Sequence, residues 1–445
     1  MKLIFYFLLF CLLISCKSNE KQVADEHINQ SIEKASMAEI EQGIKSYIQD
    51  KVEEGQGFFH LKNDSFDLNV RLVRVHTEYL ANLAPGSYFA CVDLADENGD
   101  VYDVDFFLEG SSDNMNVVKK SIHKLNGKPF YTWKQNKEDK TWFKIPLEQA
   151  GNKLLGVVEE KDQFEFFYDV TLPEIRGKGQ IWIPIAQSNN FQDITINNIT
   201  TPTKEQFLED QFGNKILYLE LDNTHSNKKI NIAYSVERIE KKPYQASESE
   251  NLDKYLTENM LIPVGEDFRE KAFIILDDKR NDNTLVQARA LYDYIIDSVS
   301  YIKDGYYGRG DAVYACDAKS GNCSEFHSYF IALARSINIP ARFAIGAAIP
   351  SSRDEGGIDG YHCWAEFYAD GKWWPVDISE ANKYSALATY YFGHHGANRV
   401  ELSKGRDLSV SPGPSYGDIN FLAFPVMEIN QENIRPKTVF SFKRK

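Results

Sequence analysis

The chain is 445 residues long, a length typical of two to four globular domains. Hydrophobic residues make up 43% of it and aromatic residues 13%, which is the composition of folded domains and excludes a largely disordered chain. It carries 65 acidic against 50 basic side chains, with a net charge of -15 and no basic stripe. Because nucleic-acid binding depends on clustered positive charge, this composition argues against nucleic acid as a partner.

The N-terminus has the pattern of an export signal. Residues 1–15 begin with the basic Lys2 and continue as an apolar run that is too short to span a bilayer comfortably. This run closes on Leu13-Ile14-Ser15-Cys16, which resembles a bacterial lipobox.

The lipobox resemblance implies cleavage before Cys16 and attachment of lipid to it, and two or more acyl chains would anchor the protein stably. Residues 16–36 are polar and would form a tether. We therefore expect a lipid-anchored protein of the bacterial cell envelope, facing the periplasm or the surface. Lys17, rather than Asp, favours the outer membrane by analogy with enteric bacteria. The alternative is an uncleaved anchor or a free secreted protein.

Residues 37–150 predict a small helix-plus-sheet domain. The segment from Met37 to Val52 has one apolar face and is followed by Gly55, a helix stop. Three strand-like runs come next, Phe66–His76, Tyr88–Leu94 and Val101–Leu108. One helix against a curved antiparallel sheet is expected, similar to a cystatin-like or nuclear transport factor 2-like fold.

Residues 155–240 predict an all-β domain, most simply an antiparallel sandwich. Its strand-like runs are Phe164–Leu172, Gln180–Ile185, Lys215–Leu221 and Ile230–Arg238. Its aromatic residues could form a carbohydrate platform, but core packing is favoured; they are Phe164, Phe166, Tyr168 and Trp182. Residues 241–252 are charged and polar, as in a linker.

A cysteine stands at the start of a clear helix pattern in the next segment. The apolar stripe Phe326, Phe330, Leu333 and Ile337 shares a helix face with Cys323 in the first turn. Asn322 suits the N-cap, and the helix should end near Asn338, which tolerates a left-handed conformation, because Pro340 prevents continuation. A helix N-terminus stabilises a thiolate. An earlier stripe behind Asn283 predicts the first core helix.

A predicted hairpin downstream supplies the partners of this thiol. Asp370-Gly371 separates two strand-like runs, and this turn pairs Ala369 with Lys372. In that register His362 and Asp377 share one sheet face as diagonal neighbours, within hydrogen-bonding reach. A thiol, an imidazole and a carboxylate are the groups needed to attack an amide carbonyl through a thiolate.

These residues resemble the transglutaminase-like superfamily of papain-type thiol enzymes. The matching positions are Gly321-x-Cys323, the helix Phe326 to Ile337 with Arg335, Ile339-Pro340-Ala341-Arg342, Gly346, His362-x-Trp364-x-Glu366, Trp374-Pro375-x-Asp377, Tyr391-Phe392-Gly393 and Gly405-Arg406-Asp407. The resemblance implies that Cys323 is the nucleophile, that His362 is the general base and then acid, and that Asp377 orients the imidazole. No Trp or Gln side chain is evident for the oxyanion hole.

The resemblance also implies the architecture and the chemistry. The expected fold class is α+β, with a papain-like core at residues 253–412 in which the helix of Cys323 packs on an antiparallel sheet. Residues 413–445 would be a C-terminal extension. Expected substrates are peptides, proteins or glycopeptides, without a cofactor, and hydrolysis is slightly favoured over transamidation. The alternative is a non-catalytic, lipid-anchored binding module with a vestigial triad.

Three further interpretations of the Cys and His residues remain. Five of them lie close in sequence, but their spacing is not that of a usual zinc site; they are Cys316, Cys323, His327, His362 and Cys363. His76 and His123 are predicted to be strand residues rather than ligands. Cys316 and Cys363 could form a disulfide in an oxidising envelope or stay buried and reduced.

Overall fold

The computed structural model describes residues 35–63, 66–135, 142–146, 154, 156–247, 250–302, 308–383 and 385–445. The predicted signal peptide, Cys16 and most of the tether lie outside these described residues. The chain is a mixed α+β protein, as predicted. Within the described part, no helix has both the length and the apolar character needed to cross a bilayer.

The first region is one helix packed on an antiparallel sheet. Helix α1 spans Met37–Glu54, and Ser36 and Glu39 form a capping box at its start. The strands of this sheet are β1 Phe59–Lys62, β2 Asp67–Val75, β3 Ala81–Ala84, β4 Ser87–Asp96, β5 Val101–Ser111, β6 Asn114–Leu125 and β7 Lys128–Pro129. Two more strands, β8 Tyr131–Gln135 and β9 Trp142–Pro146, pair with each other in a separate sheet. Ile40, Ile44 and Ile48 are buried in the apolar layer between helix and sheet. The predicted helix and its three predicted strands are therefore confirmed.

The second region supplies most of a β-sandwich. Its strands are β10 Lys161–Thr171, β11 Gly179–Ile185, β12 Gln192–Thr200, β13 Gln206–Glu209, β14 Lys215–Leu221 and β15 Lys229–Ile239. They divide between two antiparallel sheets, with β12-β15-β10 in one and β13-β14-β11 in the other. Phe164, Phe166, Tyr168 and Trp182 are fully buried. The aromatic residues therefore form core and not an exposed platform.

The third region carries the helices. These are α2 Glu266–Leu276, α3 Thr284–Ser298, α4 Ala312–Ala318, α5 Cys323–Ser336, α6 Ile378–Ala381 and α7 Ser385–Tyr390. The strands are β16 Tyr244–Gln245, β17 Ser300–Tyr301, β18 Ser320–Gly321, β19 Ala341–Ala348, β20 Glu355–Ile358, β21 His362–Ala369, β22 Lys372–Val376 and β23 Arg399–Lys404. An antiparallel sheet of order β16-β22-β21-β19-β23 lies against α5. Val73, Ala95 and Val101 of the first region share its apolar core, so the two regions pack together.

The C-terminal residues join the sandwich rather than forming a separate extension. They contain β24 Val426–Ile429, β25 Glu432–Ile434 and β26 Lys437–Arg444. Strand β24 pairs with β11, and β26 pairs with both β10 and β20. The central strands β10 and β11 thereby gain hydrogen-bond partners on their second edges. Because β20 lies just before His362 in the chain, the sandwich also holds the loop that leads to the hairpin.

In the charged segment at residues 241–252, the described residues 241–247 and 250–252 are also part of the folded structure. Strand β16 adds to the edge of the helix-bearing sheet by pairing with β22. The Lys241 side chain is buried and forms an ion pair with Glu366. The charged residues that predicted a linker therefore belong to a network of buried ion pairs. A buried charge is stable only when it has a partner of opposite charge.

Local predictions around the cysteine helix agree closely with the structure. Asn322 caps α5 by accepting a hydrogen bond from the Ser324 N–H, and Asn338 is left-handed with φ = 64°. Asn283 caps α3 in the same way. The hairpin has the predicted register, with Ala369 opposite Lys372.

Candidate active site

Helix α5 presents the candidate nucleophile at its first residue. Cys323 is only 2% exposed, and its thiol lies at the helix N-terminus. The first four N–H groups of a helix have no acceptor inside the helix, and Asn322 takes that of Ser324. The partial positive charge at this end favours a thiolate on Cys323.

A buried glutamate that the sequence did not single out fixes the start of this helix. The Glu325 carboxylate accepts hydrogen bonds from four backbone N–H groups at 2.8–3.0 Å, those of Gly308, Arg309, Gly310 and Asn322. A Cβ on Gly321 would lie 2.3 Å from the Glu325 Cβ, so the backbone needs glycine there. The carboxylate thus joins the preceding loop to the first turn of α5. A glutamate three residues after the N-cap is the sequence signal for its bond to the Asn322 N–H, but not for its bonds to the loop.

The hairpin brings the imidazole and the carboxylate into direct contact. The His362 Nε2–H donates to Asp377 Oδ2 at 2.7 Å, and both side chains are buried. Strand β22 ends at Val376, so Asp377 is not in the ladder but is the N-cap of α6. Its Oδ1 accepts from the Glu380 N–H and the Ser379 hydroxyl, each at 3.2 Å. The carboxylate is therefore oriented by capping a helix rather than by strand pairing.

The thiol completes the group through the other ring nitrogen. Cys323 and His362 line the same cleft, and their side chains are close enough for each to shift the pKa of the other. Because Nε2 is engaged by Asp377, Nδ1 is the nitrogen that remains for the sulfur. The structure therefore brings together all three residues that the sequence selected.

The electrostatics of these three groups favour an ion pair. A hydrogen bond from Cys363 lowers the pKa of Cys323, burial raises it, and the hydrogen bond and charge of His362 lower it, to about 6. Burial alone would lower the pKa of His362, but the charge and hydrogen bond of Asp377 raise it to about 9. Burial disfavours the Asp377 carboxylate, yet His362 and Arg399 hold its pKa well below the usual range. Between about pH 6 and pH 9 the site therefore contains thiolate and imidazolium.

An arginine from the last strand of the sheet holds the carboxylate from behind. Arg399 Nη2 donates to Asp377 Oδ2 at 3.0 Å and lies 3.4 Å from the Tyr391 hydroxyl. Arg399 is fully buried at the start of β23. Arg399 gives the buried Asp377 a second positive partner besides His362. No local sequence pattern indicated this role of Arg399.

A second buried histidine ties the two halves of the site together. The His327 Nδ1–H donates to the Cys323 carbonyl at 2.7 Å, and the Ile378 N–H donates to its Nε2 at 3.0 Å. Burial lowers the pKa of His327 to about 4, so the ring is neutral. In the sequence, His327 lies four residues after Cys323 and therefore on the same helix face, and this spacing could have indicated that the two residues are close. Since Ile378 directly follows Asp377, His327 fixes the distance between thiol and carboxylate.

The other cysteines among the described residues, Cys91, Cys316 and Cys363, are buried free thiols. Cys316 and Cys363 are both reduced. Of the two expected states, a disulfide or a pair of buried thiols, the structure therefore has the buried thiols. Burial and the hydrogen bond to Cys323 raise the pKa of Cys363 far above its ordinary value, which keeps it a thiol beside the nucleophile.

A cleft of about 390 Å³ gives access to Cys323 and His362. Its other lining residues are Tyr301, Asn322, Ala348, Pro350, Ile358, Asp359, Gly360, Tyr361, Glu380, Lys383 and Phe424. Part of the wall comes from β20 and the loop behind it, and part from the sandwich residue Phe424. The cleft thus lies where the helix-bearing region meets the sandwich.

One family model matches this part of the chain. Residues 276–378 match the core of the transglutaminase-like superfamily, a range that contains Cys323, His362 and Asp377. An uncharacterized protein of Haemophilus influenzae is 23% identical over 329 residues, which is 63% of this chain and 89% of that protein.

Solved structures with similar chains were also found. The "putative cysteine protease" of Cytophaga hutchinsonii is 16% identical, with 64% of this chain and 99% of that chain covered and a TM-score of 0.42. The periplasmic domain of TgpA from Pseudomonas aeruginosa is 14% identical, with 52% and 91% covered and a TM-score of 0.28.

Proposed function

Since residues 276–378 form a core of the transglutaminase-like superfamily, we propose that this protein is a cysteine enzyme that attacks amide bonds in peptides, proteins or glycopeptides. One observation carries this proposal. Cys323, at a helix N-terminus and open to a cleft, contacts His362, which is itself hydrogen-bonded to the buried Asp377. This is the arrangement in which a base activates a nucleophile and a third group orients the base.

In the first half of the reaction the Cys323 thiolate attacks the carbonyl carbon of the amide. A carbon–sulfur bond forms, and the negative charge moves to the carbonyl oxygen. The backbone N–H of Cys323, free of an acceptor within its helix, is the proposed donor to this oxyanion. The carbon–nitrogen bond then breaks, and the His362 imidazolium gives its proton to the departing amine. The product is a thioester on Cys323.

In the second half a water or an amine resolves the thioester. His362, now neutral, takes a proton from the attacking group, and the Cys323 thiolate leaves. We favour water, hence peptidase or amidase activity, because the exposed residues Asp359 and Lys383 line the cleft and leave it accessible to solvent. The loop of residues 304–317 would also influence acceptor choice by controlling the access of water, and its residues 304–307 lie outside the described residues.

Peptide and glycopeptide libraries test this function directly. We expect wild-type protein to release new amino groups and the Cys323→Ala variant to release none. With a turned-over substrate and added alkylamine, the carboxylic acid product should exceed the amide product. Turnover that persists in Cys323→Ala would reject the site, whereas a dominant amide product would reject only hydrolysis.

The competing function is a non-catalytic binding module that retains the triad. The intact contacts among Cys323, His362 and Asp377 and the lowered pKa of Cys323 favour the enzyme, because binding alone requires no activated thiol. A ligand that binds wild type and Cys323→Ala equally well, with no turnover by either, would favour the binding module.

We further propose that Cys16 carries the lipid that anchors the protein in the bacterial envelope, on the strength of the lipobox-like run before it. In a bacterial host the full chain should fractionate with membranes and partition into detergent. Cys16→Ala should lose this behaviour, and Cys11→Ala, which changes a cysteine inside the apolar run, should keep it. Equal membrane association of the two variants would contradict lipid attachment at Cys16.

A further inference from the structure

A second cluster of reactive side chains lies in the first region, away from the catalytic cleft. Strands β4 and β5 pair with Asp93 opposite Asp103 and Cys91 opposite Asp105. The alternate residues of β4, Val92 and Leu94, belong to the apolar layer under α1. Cys91 and Asp93 therefore lie on the other face of the sheet. Three carboxylates and a thiol are thus gathered on one buried patch.

Two histidines border this patch. His76 follows the end of β2, and His123 belongs to β6. His76 and the four strand residues are between 0% and 7% exposed. So many titratable groups in a buried position require either mutual compensation or a bound ion.

One oxygen of each carboxylate, here called the outer oxygen, accepts a hydrogen bond from a side chain at the edge of the cluster. Asp93 Oδ2 accepts from Arg289 at 3.1 Å, Asp103 Oδ2 from Lys124 at 2.7 Å, and Asp105 Oδ2 from the Tyr131 hydroxyl at 2.8 Å. The inner oxygens face the cluster.

The inner contacts bring ligand atoms together. The Cys91 thiol lies 3.1 Å from Asp103 Oδ1. His123 Nδ1 lies 3.7 Å from that oxygen and 3.8 Å from Asp105 Oδ1. Carboxylates anchored on the outside by cations and donors, with one oxygen directed inward, are the pattern that supports a metal ion.

His76 is oriented in the same way. Its Nδ1 contacts Glu78 Oε1 at 3.0 Å, which leaves Nε2 directed into the cluster. Nε2 lies 3.1 Å from Asp93 Oδ1, yet the two atoms are not aligned for a hydrogen bond, and both are buried without a hydrogen-bond partner. A buried nitrogen and a buried oxygen that lie 3.1 Å apart without hydrogen-bond partners are costly to leave unsatisfied, and one shared metal ion would satisfy both.

We propose that this cluster is a structural zinc site. His76, Cys91 and Asp103 each offer a ligand atom, and these atoms lie within 4.8 Å of one another. A tetrahedral zinc ion spaces such ligands about 3.3–3.6 Å apart, so small side-chain shifts close the site. Asp93 Oδ1 lies 3.1 Å from His76 Nε2 but outside this group of three, and its side chain would move towards the ion to supply the fourth ligand. Thiolate and imidazole together select zinc over magnesium or calcium.

Binding replaces the proton of the Cys91 thiol with the metal ion, and that proton leaves to solvent. The site would also join two regions of the chain, because Asp93 holds Arg289 of α3. Zinc therefore fixes the first-region sheet against the region that carries Cys323. The proposal does not depend on the catalytic function.

Metal analysis of the untagged full-length protein tests the site. We expect one zinc per chain in the wild type, and loss of it in Cys91→Ser and Asp103→Asn. After substitution by cobalt, a thiolate-to-cobalt charge-transfer band should appear in the wild type. Cys316→Ser, which changes a buried thiol elsewhere, should keep that band, and Cys91→Ser should lose it.

Two further variants keep the test decisive. Glu78→Gln leaves every ligand in place and should weaken zinc affinity about 10-fold by loosening His76. Cys323→Ala should bind zinc as the wild type does. Absence of zinc from protein purified and refolded with it, or zinc that survives Cys91→Ser but is lost in Cys323→Ala, would overturn the proposal.

Discussion

Replacing His362 with alanine is expected to reduce kcat/KM about as much as replacing Cys323, by roughly 10⁴-fold or more. Without the imidazole the thiol at Cys323 loses its proton acceptor and the departing amine loses its proton donor. The two side chains act as one unit, so the double variant should be no slower than either single variant.

Steady-state kinetics on the substrate found by library screening measure this coupling. His60→Ala, which changes an exposed histidine on β1, is the matched control and should retain full activity. If the losses of Cys323→Ala and His362→Ala multiplied in the double variant, the two residues would act independently.

Replacing Asp377 with asparagine should have the next largest effect, about 10³–10⁴-fold in kcat/KM. The amide keeps the size of the side chain but removes the negative charge that raises the pKa of His362. The imidazolium is then less stable, so the pKa of Cys323 rises and less thiolate is present at neutral pH. The same change leaves the buried Arg399 without its counter-charge, which should cost about 3–5 kcal/mol of stability.

A second substitution separates the loss of activity from the loss of stability. Asp377→Asn combined with Arg399→Met removes both buried charges, so it should recover much of the free energy of unfolding but none of the activity. Asp370→Asn, at the exposed hairpin turn, is the control for the chemical change. Recovery of activity in the double variant would show that Asp377 matters for folding alone.

Much of the site could be predicted because the sequence patterns that specify it are local. The stripe from Phe326 to Ile337, the caps at Asn322 and Asn338 and the Asp-Gly turn each lie within a few residues of the atoms they position. These patterns placed Cys323 at a helix start and His362 beside Asp377, and the resemblance to the transglutaminase-like superfamily joined the thiol to that pair.

The supporting contacts could not be predicted in this way, because they join residues distant in sequence. Arg399 reaches Asp377 from another strand, and Glu325 binds N–H groups of a loop that no sequence pattern connects to it. The sandwich likewise depends on β26, which pairs with β10 from the far end of the chain. Even Asp377 reaches His362 as a helix cap, although the sequence suggested a strand position.

The central claim is that Cys323 is a thiolate at neutral pH. Iodoacetamide reacts with thiolate and not with thiol, so the labelling rate at this residue, followed by mass spectrometry across pH, reports its ionisation without any substrate. A pKa near 6 predicts labelling that is half-maximal near pH 6 and constant through pH 8, with the midpoint raised in His362→Ala. Labelling that increases only above about pH 8, as for an ordinary cysteine, would contradict the account.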